Sequence, residues 1–208
     1  LYMQEVPEAN WDAMATTSTI TALTSTSVSY TNGATAVEQD ELKGGYIVYE
    51  NAGDAGEVHR ILANHPAAAS AVGKIYLYLT DVFEIACAIG QSITVTKNPF
   101  RDIVILPLAT TISSMPVGIP PVIIAASSYG WIQTHGVASA LIEGTVVIGQ
   151  EGRPTESTTA ADIGSIAGLD YDEGNERSDE DMGPVCRIIE VAEDTEFGTV
   201  FLMLEGLS

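Results

Sequence analysis

Polar and apolar residues alternate with period two over much of the chain, in short segments. KIYLYLTD sets Ile75, Leu77 and Leu79 against Tyr76, Tyr78 and Thr80, the alternation of a strand with one face buried. GYIVYENA and EVHRILAN flank a turn signal at Gly53-Asp54 and read as the two strands of a hairpin. SITVTK, DIVILPL, VIIAAS, YGWIQTH, SALIEG and TVVIGQ continue the series. Pro107, Pro116, Pro120 and Pro121 confine their neighbours to edges or turns. GPVCRIIEVAEDTEFGTVFLMLEG predicts two further strands joined around residues 193–196, and VFEIACAIG fits either a short helix or a buried strand. About ten short strands, with turn signals about every 8–12 residues, predict an all-β sandwich or barrel.

Two stretches depart from this rhythm. Residues 15–36, ATTSTITALTSTSVSYTNGATA, are small and polar yet rich in Thr, Val, Ile and Tyr, which favour extended backbone. They predict an N-terminal arm over residues 1–45, gaining order by pairing with something else, ahead of a β body over 46–208. Within the arm, Asn32-Gly33 is a hairpin-type turn signal, and residues 38–43 suit a short helical turn before Gly44-Gly45. The second stretch, 151–182, ends in LDYDEGNERSDEDM and predicts a long exposed acidic loop.

Charge narrows the function. The 208 residues carry 28 acidic and 8 basic side chains, a formal net charge of −20. Such a surface repels phosphate backbones, and no basic stripe offsets it, so no nucleic-acid partner is expected. The acidity suits a dispersed, soluble surface or a face for a basic partner. The longest apolar runs, 103–109 and 122–126, fall far short of the roughly 20 residues that span a bilayer, so no membrane partner is expected. Cys87 and Cys186 each sit in an apolar run, where buried thiols are the default and pairing stays open.

No motif supplies a reactive centre. The acid cluster Asp170, Asp172, Glu173, Glu176, Asp179, Glu180 and Asp181 fails the EF-hand pattern. Gly174 falls where an oxygen ligand belongs, Asn175 where Gly belongs and Asp181 where Glu belongs. His59, His65 and His135 lack zinc-ligand spacing, and Ser127, Ser128 and Ser139 lack the nucleophile-elbow context. Glycine loops for phosphate are missing. Only 7% of residues are aromatic, too few for the usual sugar cleft; Tyr129 and Trp131 read as core or interface anchors. The expectation is a non-enzymatic protein with no catalytic residue, cofactor or metal.

SSYGWIQTHGVASALIEGTVVIGQEG resembles segments of tailed-phage virion structural proteins. KNPFRDIVILP, the VGIPPV connector at 117–122 and the terminal EDTEFGTVFLMLEG resemble the same group, so that the likeness covers residues 44–206. It implies a capsid decoration, or cement, protein on the virion exterior. Such proteins bind the major capsid protein of an expanded icosahedral shell and associate with themselves, commonly as homotrimers. On this reading residues 1–45 attach to the shell through Thr19, Thr21, Leu23, Val28 and Tyr30, and an arm strand adds to a capsid edge. The 118–149 unit, with Tyr129 and Trp131, would then serve the trimer core or a shell contact. Two other readings are a tail or fibre component that binds a host receptor, and a secreted β-fold glycan hydrolase. The latter needs two carboxylates facing each other about 5–10 Å apart.

Overall fold

The computed structural model describes residues 1–50, 56–78, 81–108, 113–169 and 183–204. Among these the chain is all-β, with fourteen strands and two single 3₁₀ turns. The first strands are β1 (Tyr2–Met3), β2 (Met14–Ala15), β3 (Ser27–Thr31), β4 (Tyr46–Tyr49) and β5 (Glu57–Asn64). Next come β6 (Val72–Leu77), β7 (Ser92–Thr96), β8 (Val104–Ile105), β9 (Pro116–Gly118) and β10 (His135–Glu143). The last are β11 (Glu151–Pro154), β12 (Ile166–Gly168), β13 (Cys186–Glu190) and β14 (Phe197–Met203). The chain forms two compact units, one of Pro7–Pro99 and one of Leu1–Val6 with Phe100–Ser208.

The 7–99 unit is a six-stranded sheet in the order β2-β7-β4-β5-β6-β3. The predicted hairpin is β4 with β5, in a register that sets Ile47 opposite His59. Period-two burial gathers Ile47, Tyr49, Ile75, Leu77, Ile93 and Val95 on the inner face. The two outer strands curl round to meet: Thr16 bridges Tyr30, and the Thr17 amide donates to the Ser29 carbonyl at 2.8 Å. Closing a sheet on itself removes the exposed edges that invite foreign strands.

That closure corrects the expected arm. Residues 7–45 are part of the unit, and the boundary falls between Pro99 and Phe100 rather than at residue 45. β3 pairs with β6 along its whole length, from Ser27 opposite Tyr76 to Thr31 opposite Val72. Trp11, Met14, Ile20, Val28, Tyr30, Val37 and Leu42 are all buried in the core. Each large apolar side chain buried contributes about 1.5–3 kcal/mol, which, with the β3–β6 ladder, helps offset the entropy lost in ordering this Thr/Ser-rich segment. The extended propensity was read correctly, but the strand's partner is intramolecular.

Local signals in this segment also resolve differently. Residues 38–43 form successive turns rather than helix, held by Asn64. Its side-chain amide donates to the Glu38 carbonyl at 2.8 Å and its Oδ1 accepts from the Leu42 amide at 2.9 Å. Asn32-Gly33 is no two-residue hairpin. The Asn32 side chain donates to the Thr35 carbonyl at 2.6 Å, and a Cβ on Gly33 would lie 1.6 Å from the Asn10 carbonyl oxygen.

The other unit holds a three-stranded sheet, β8-β1-β9, and a closed barrel, β10-β12-β11-β13-β14. Five strands enclose little space, so the inward positions are small or tightly interlocked: Ala138, Ala140, Ile142, Ile166, Cys186 and Val200 are buried. A Cβ on Gly152 would come within 2.6 Å of Cys186 Sγ. β11 and β12 lie inside the stretch predicted as loop; their short Gly- and Ala-bearing strands gave no period-two signal. The acid cluster at 170–182 falls outside the described residues. VIIAAS, YGWIQTH and TVVIGQ are largely irregular rather than strands, as is VFEIACAIG, whose one ladder contact is Cys87 with Ile20. Cys87 and Cys186 are free and buried.

Candidate functional site

The connection between β9 and β10 begins and ends at one point. Ile119 and Gln133 form an isolated antiparallel bridge; the Ile119 amide donates to the Gln133 carbonyl at 3.0 Å and the Gln133 amide returns a bond of 2.8 Å. Residues 120–132 are thereby an Ω-type loop with a hydrogen-bonded neck. Close packing shapes both ends. Gly118, at φ +148°, leaves room for Ile132, whose Cγ2 would lie 2.2 Å from a Cβ there. Gly130 similarly admits Ile124, with Cγ1 2.4 Å from where a Cβ would be.

With Ile124 turned inward, other large residues of the loop face solvent. Val122 is 69% exposed, Ile123 96% and Trp131 85%, and Tyr129 is fully exposed. Their apolar character is not offset by nearby charge in sequence: residues 103–142 contain no Asp, Glu, Lys or Arg, in a chain of net charge −20. Bare apolar groups this close together are the mark of an interaction surface rather than of ordinary scatter.

Beside the loop lies an apolar groove of about 750 Å³, lined by Pro120–Ile123, Val137–Leu141, Ile105, Ile163, Phe197 and Thr199, among others. Its floor is the outer face of β10 and β14, where register places Val137 opposite Phe201, Ser139 opposite Thr199 and Leu141 opposite Phe197. Leu1 and Gly164 also line it; the Leu1 α-amino group donates to the Gly164 carbonyl, and burial lowers its pKa to about 6.

The predicted contact residues thus separate. Tyr129 and Trp131 stand in solvent on the loop. Thr19, Thr21 and Leu23 are exposed on the 7–99 unit. Val28 and Tyr30 are buried at 1% and 0% exposure, so neither is available to a partner; period-two alternation points both inward from β3. Sequence reasoning missed Ile123, Val122 and the groove. The charge-free run was the available signal, but it was read as strands because an apolar loop and a buried strand have the same composition.

One titratable cluster also escaped notice. His59 is buried on β5 between two carboxylates, with Nδ1 2.6 Å from Asp81 Oδ1 and Nε2 2.6 Å from Glu57 Oε1. Glu57 also accepts from the Glu84 amide at 2.5 Å and the Ile85 amide at 3.2 Å, and Phe83 packs edge-on to the imidazole at 4.8 Å. Both ring nitrogens are engaged by carboxylates, so neither faces a nucleophile as general-base work requires. The cluster fastens residues 81–85 to β5. The Cys186 thiol is similarly withdrawn from chemistry: burial pushes its pKa up to about 12, against a smaller opposing backbone hydrogen bond of Gly152. Among the described residues no group of three His, Cys, Asp or Glu is placed to hold a metal ion, and no helix is long and apolar enough to cross a membrane.

Compared with protein-family models, curated proteins and solved structures, the chain matches none.

Proposed function

We propose that this chain is a structural adhesive of a tailed-phage particle, a decoration protein that binds the outside of an expanded icosahedral shell and bridges its subunits. The observation that carries the reading is the Ω-type loop, which holds Val122, Ile123, Tyr129 and Trp131 in solvent on a charge-free stretch. Such side chains gain most from being covered by a partner, and Trp and Tyr are the usual anchors of protein interfaces. The resemblance over residues 44–206 supplies the particle. A net charge of −20 elsewhere keeps free copies apart in solution.

The work done is thermodynamic. A protein that binds only the expanded shell stabilises it by mass action, and copies that associate with one another, as a homotrimer would, add the strength of multivalent attachment. The attachment surface is assigned to the 118–149 region rather than to an N-terminal arm, since Trp11, Met14, Ile20, Val28, Tyr30, Val37 and Leu42 are already used by the 7–99 core.

A double variant, Tyr129→Ala with Trp131→Ala, tests the reading against expanded shells of the parent phage. Both side chains are exposed, so unfolding free energy should move by no more than about 0.5 kcal/mol. Sedimentation with shells should weaken about thirtyfold or more, as removal of an anchor worth about 2 kcal/mol implies. Wild-type sedimentation by the double variant would overturn the assignment. The exposed aromatics also favour a second reading, a tail component whose loop meets a host receptor. Quantitative mass spectrometry of purified virions separates the two, since decoration demands many copies and a tail tip only a handful.

A further inference from the structure

β10 is paired along only one side for most of its length. β14 covers it from His135 to Leu141, while β12 joins its other side only at Ile142 and Glu143. Along 135–141 that second side has no strand neighbour among the described residues. The side chain of Gln133 shows which main-chain groups point there. Its Nε2 donates to the Val137 carbonyl at 2.7 Å and to the His135 carbonyl at 3.0 Å. Val137 therefore directs its peptide groups away from β14, and the alternation of an antiparallel strand gives Ser139 the same direction. A side-chain amide stands where the donor of another strand would stand.

We infer that this open side of β10 is a strand-acceptor site, and that its occupant is an extended segment of a partner protein, uncharged and apolar at alternate positions along the groove and basic only at one end. The inference rests on the adhesive reading above and names the mode of attachment. An unpaired strand edge is completed by backbone, which calls for an extended chain. The groove beside the edge, lined by Val137, Leu141, Ile123 and Phe197, accepts apolar side chains from alternate residues. A charged segment would be desolvated there without a counter-charge, because residues 103–142 supply none. The basic end follows from the turn that leads into Phe197, where Glu193, Asp194 and Glu196 are exposed. The 7–99 unit makes a contrast, since its outer strands are closed by the Thr16–Tyr30 bridge.

The test is calorimetric titration of the whole chain with an acetylated ten-residue peptide of alternating valine and threonine ending in two lysines. Two control peptides accompany it, one N-methylated at alternate residues and one ending in two glutamates. Binding of the lysine peptide, with each control at least tenfold weaker, is the expected result. Ser139→Pro, which removes an outward amide without touching the β14 ladder, should weaken the lysine peptide by a similar factor while circular dichroism stays unchanged. Equal binding of the N-methylated peptide, or no binding of the lysine peptide at millimolar concentration, overturns the inference. If the peptide fails while the Tyr129/Trp131 variant still loses shell attachment, the strand site is wrong and the adhesive reading stands. If the peptide binds but the double variant decorates normally, the reverse holds.

Discussion

Tyr30 combines two roles that pull against each other. Its ring lies over Gly73 across the β3–β6 ladder, where a Cβ would sit 2.7 Å from Cζ, so glycine is required opposite it. Its hydroxyl, carried into the core with the ring, has no hydrogen-bond partner among the described residues. Burial, and secondarily the Glu41 carboxylate, raise its pKa to about 12. A buried hydroxyl without a partner forfeits its hydration for nothing. Tyr30→Phe should therefore be neutral or stabilising by up to about 1 kcal/mol in urea denaturation. A loss of more than that would mean the hydroxyl is satisfied after all. The same side chain shows why residue type alone misleads: an aromatic in a Thr/Ser-rich segment suggests a sticky arm, whereas here it fills the core.

At the scale of elements, the Glu57–His59 pair on β5 carries the 81–85 segment, which has no strand ladder of its own. Glu57→Gln removes the charge facing His59 and weakens the acceptors for the Glu84 and Ile85 amides. The expected cost is about 2–4 kcal/mol, with hydrogen exchange quickening at those two amides ahead of the β4–β5 ladder. Unchanged exchange there would show that other contacts hold the segment. Strands with one buried and one wet face were legible: β4, β5, β6, β7, β13 and β14 all follow the alternation. Elements lacking that contrast were not. β11 and β12 are short, line a narrow barrel and use Gly, Ala and Pro, while Val122, Ile123, Tyr129 and Trp131 are apolar without being buried. The neck that makes this run a loop is a pairing of residues fourteen apart, Ile119 with Gln133, which no local pattern announces. Of the candidate site, Tyr129 and Trp131 could be picked out as aromatics, but the groove depends on β8, residues 119–123, β10 and β14 being brought together.

For the whole molecule, the two units divide the labour differently from an arm and a body. The 7–99 unit spends its Thr/Ser-rich segment on closing its own sheet, and seven side chains from 7–45 are in its core. A chain starting at residue 46 should therefore give an insoluble product or one without cooperative urea unfolding of the 46–99 portion. A soluble, cooperatively unfolding truncation would restore the detachable arm. The other unit keeps one strand side open and carries the charge-free surface, so contact-making and charge are segregated along the sequence. The reciprocal bond between Ile119 and Gln133 has a further consequence. Because the tip is closed at its own base, its residues can be exchanged or lengthened with little penalty to the scaffold, a doubling in loop length costing only about 0.6 kcal/mol. Descendants of this chain can thus revise what they grip as a cassette, swapping recognition while the barrel beneath is inherited intact.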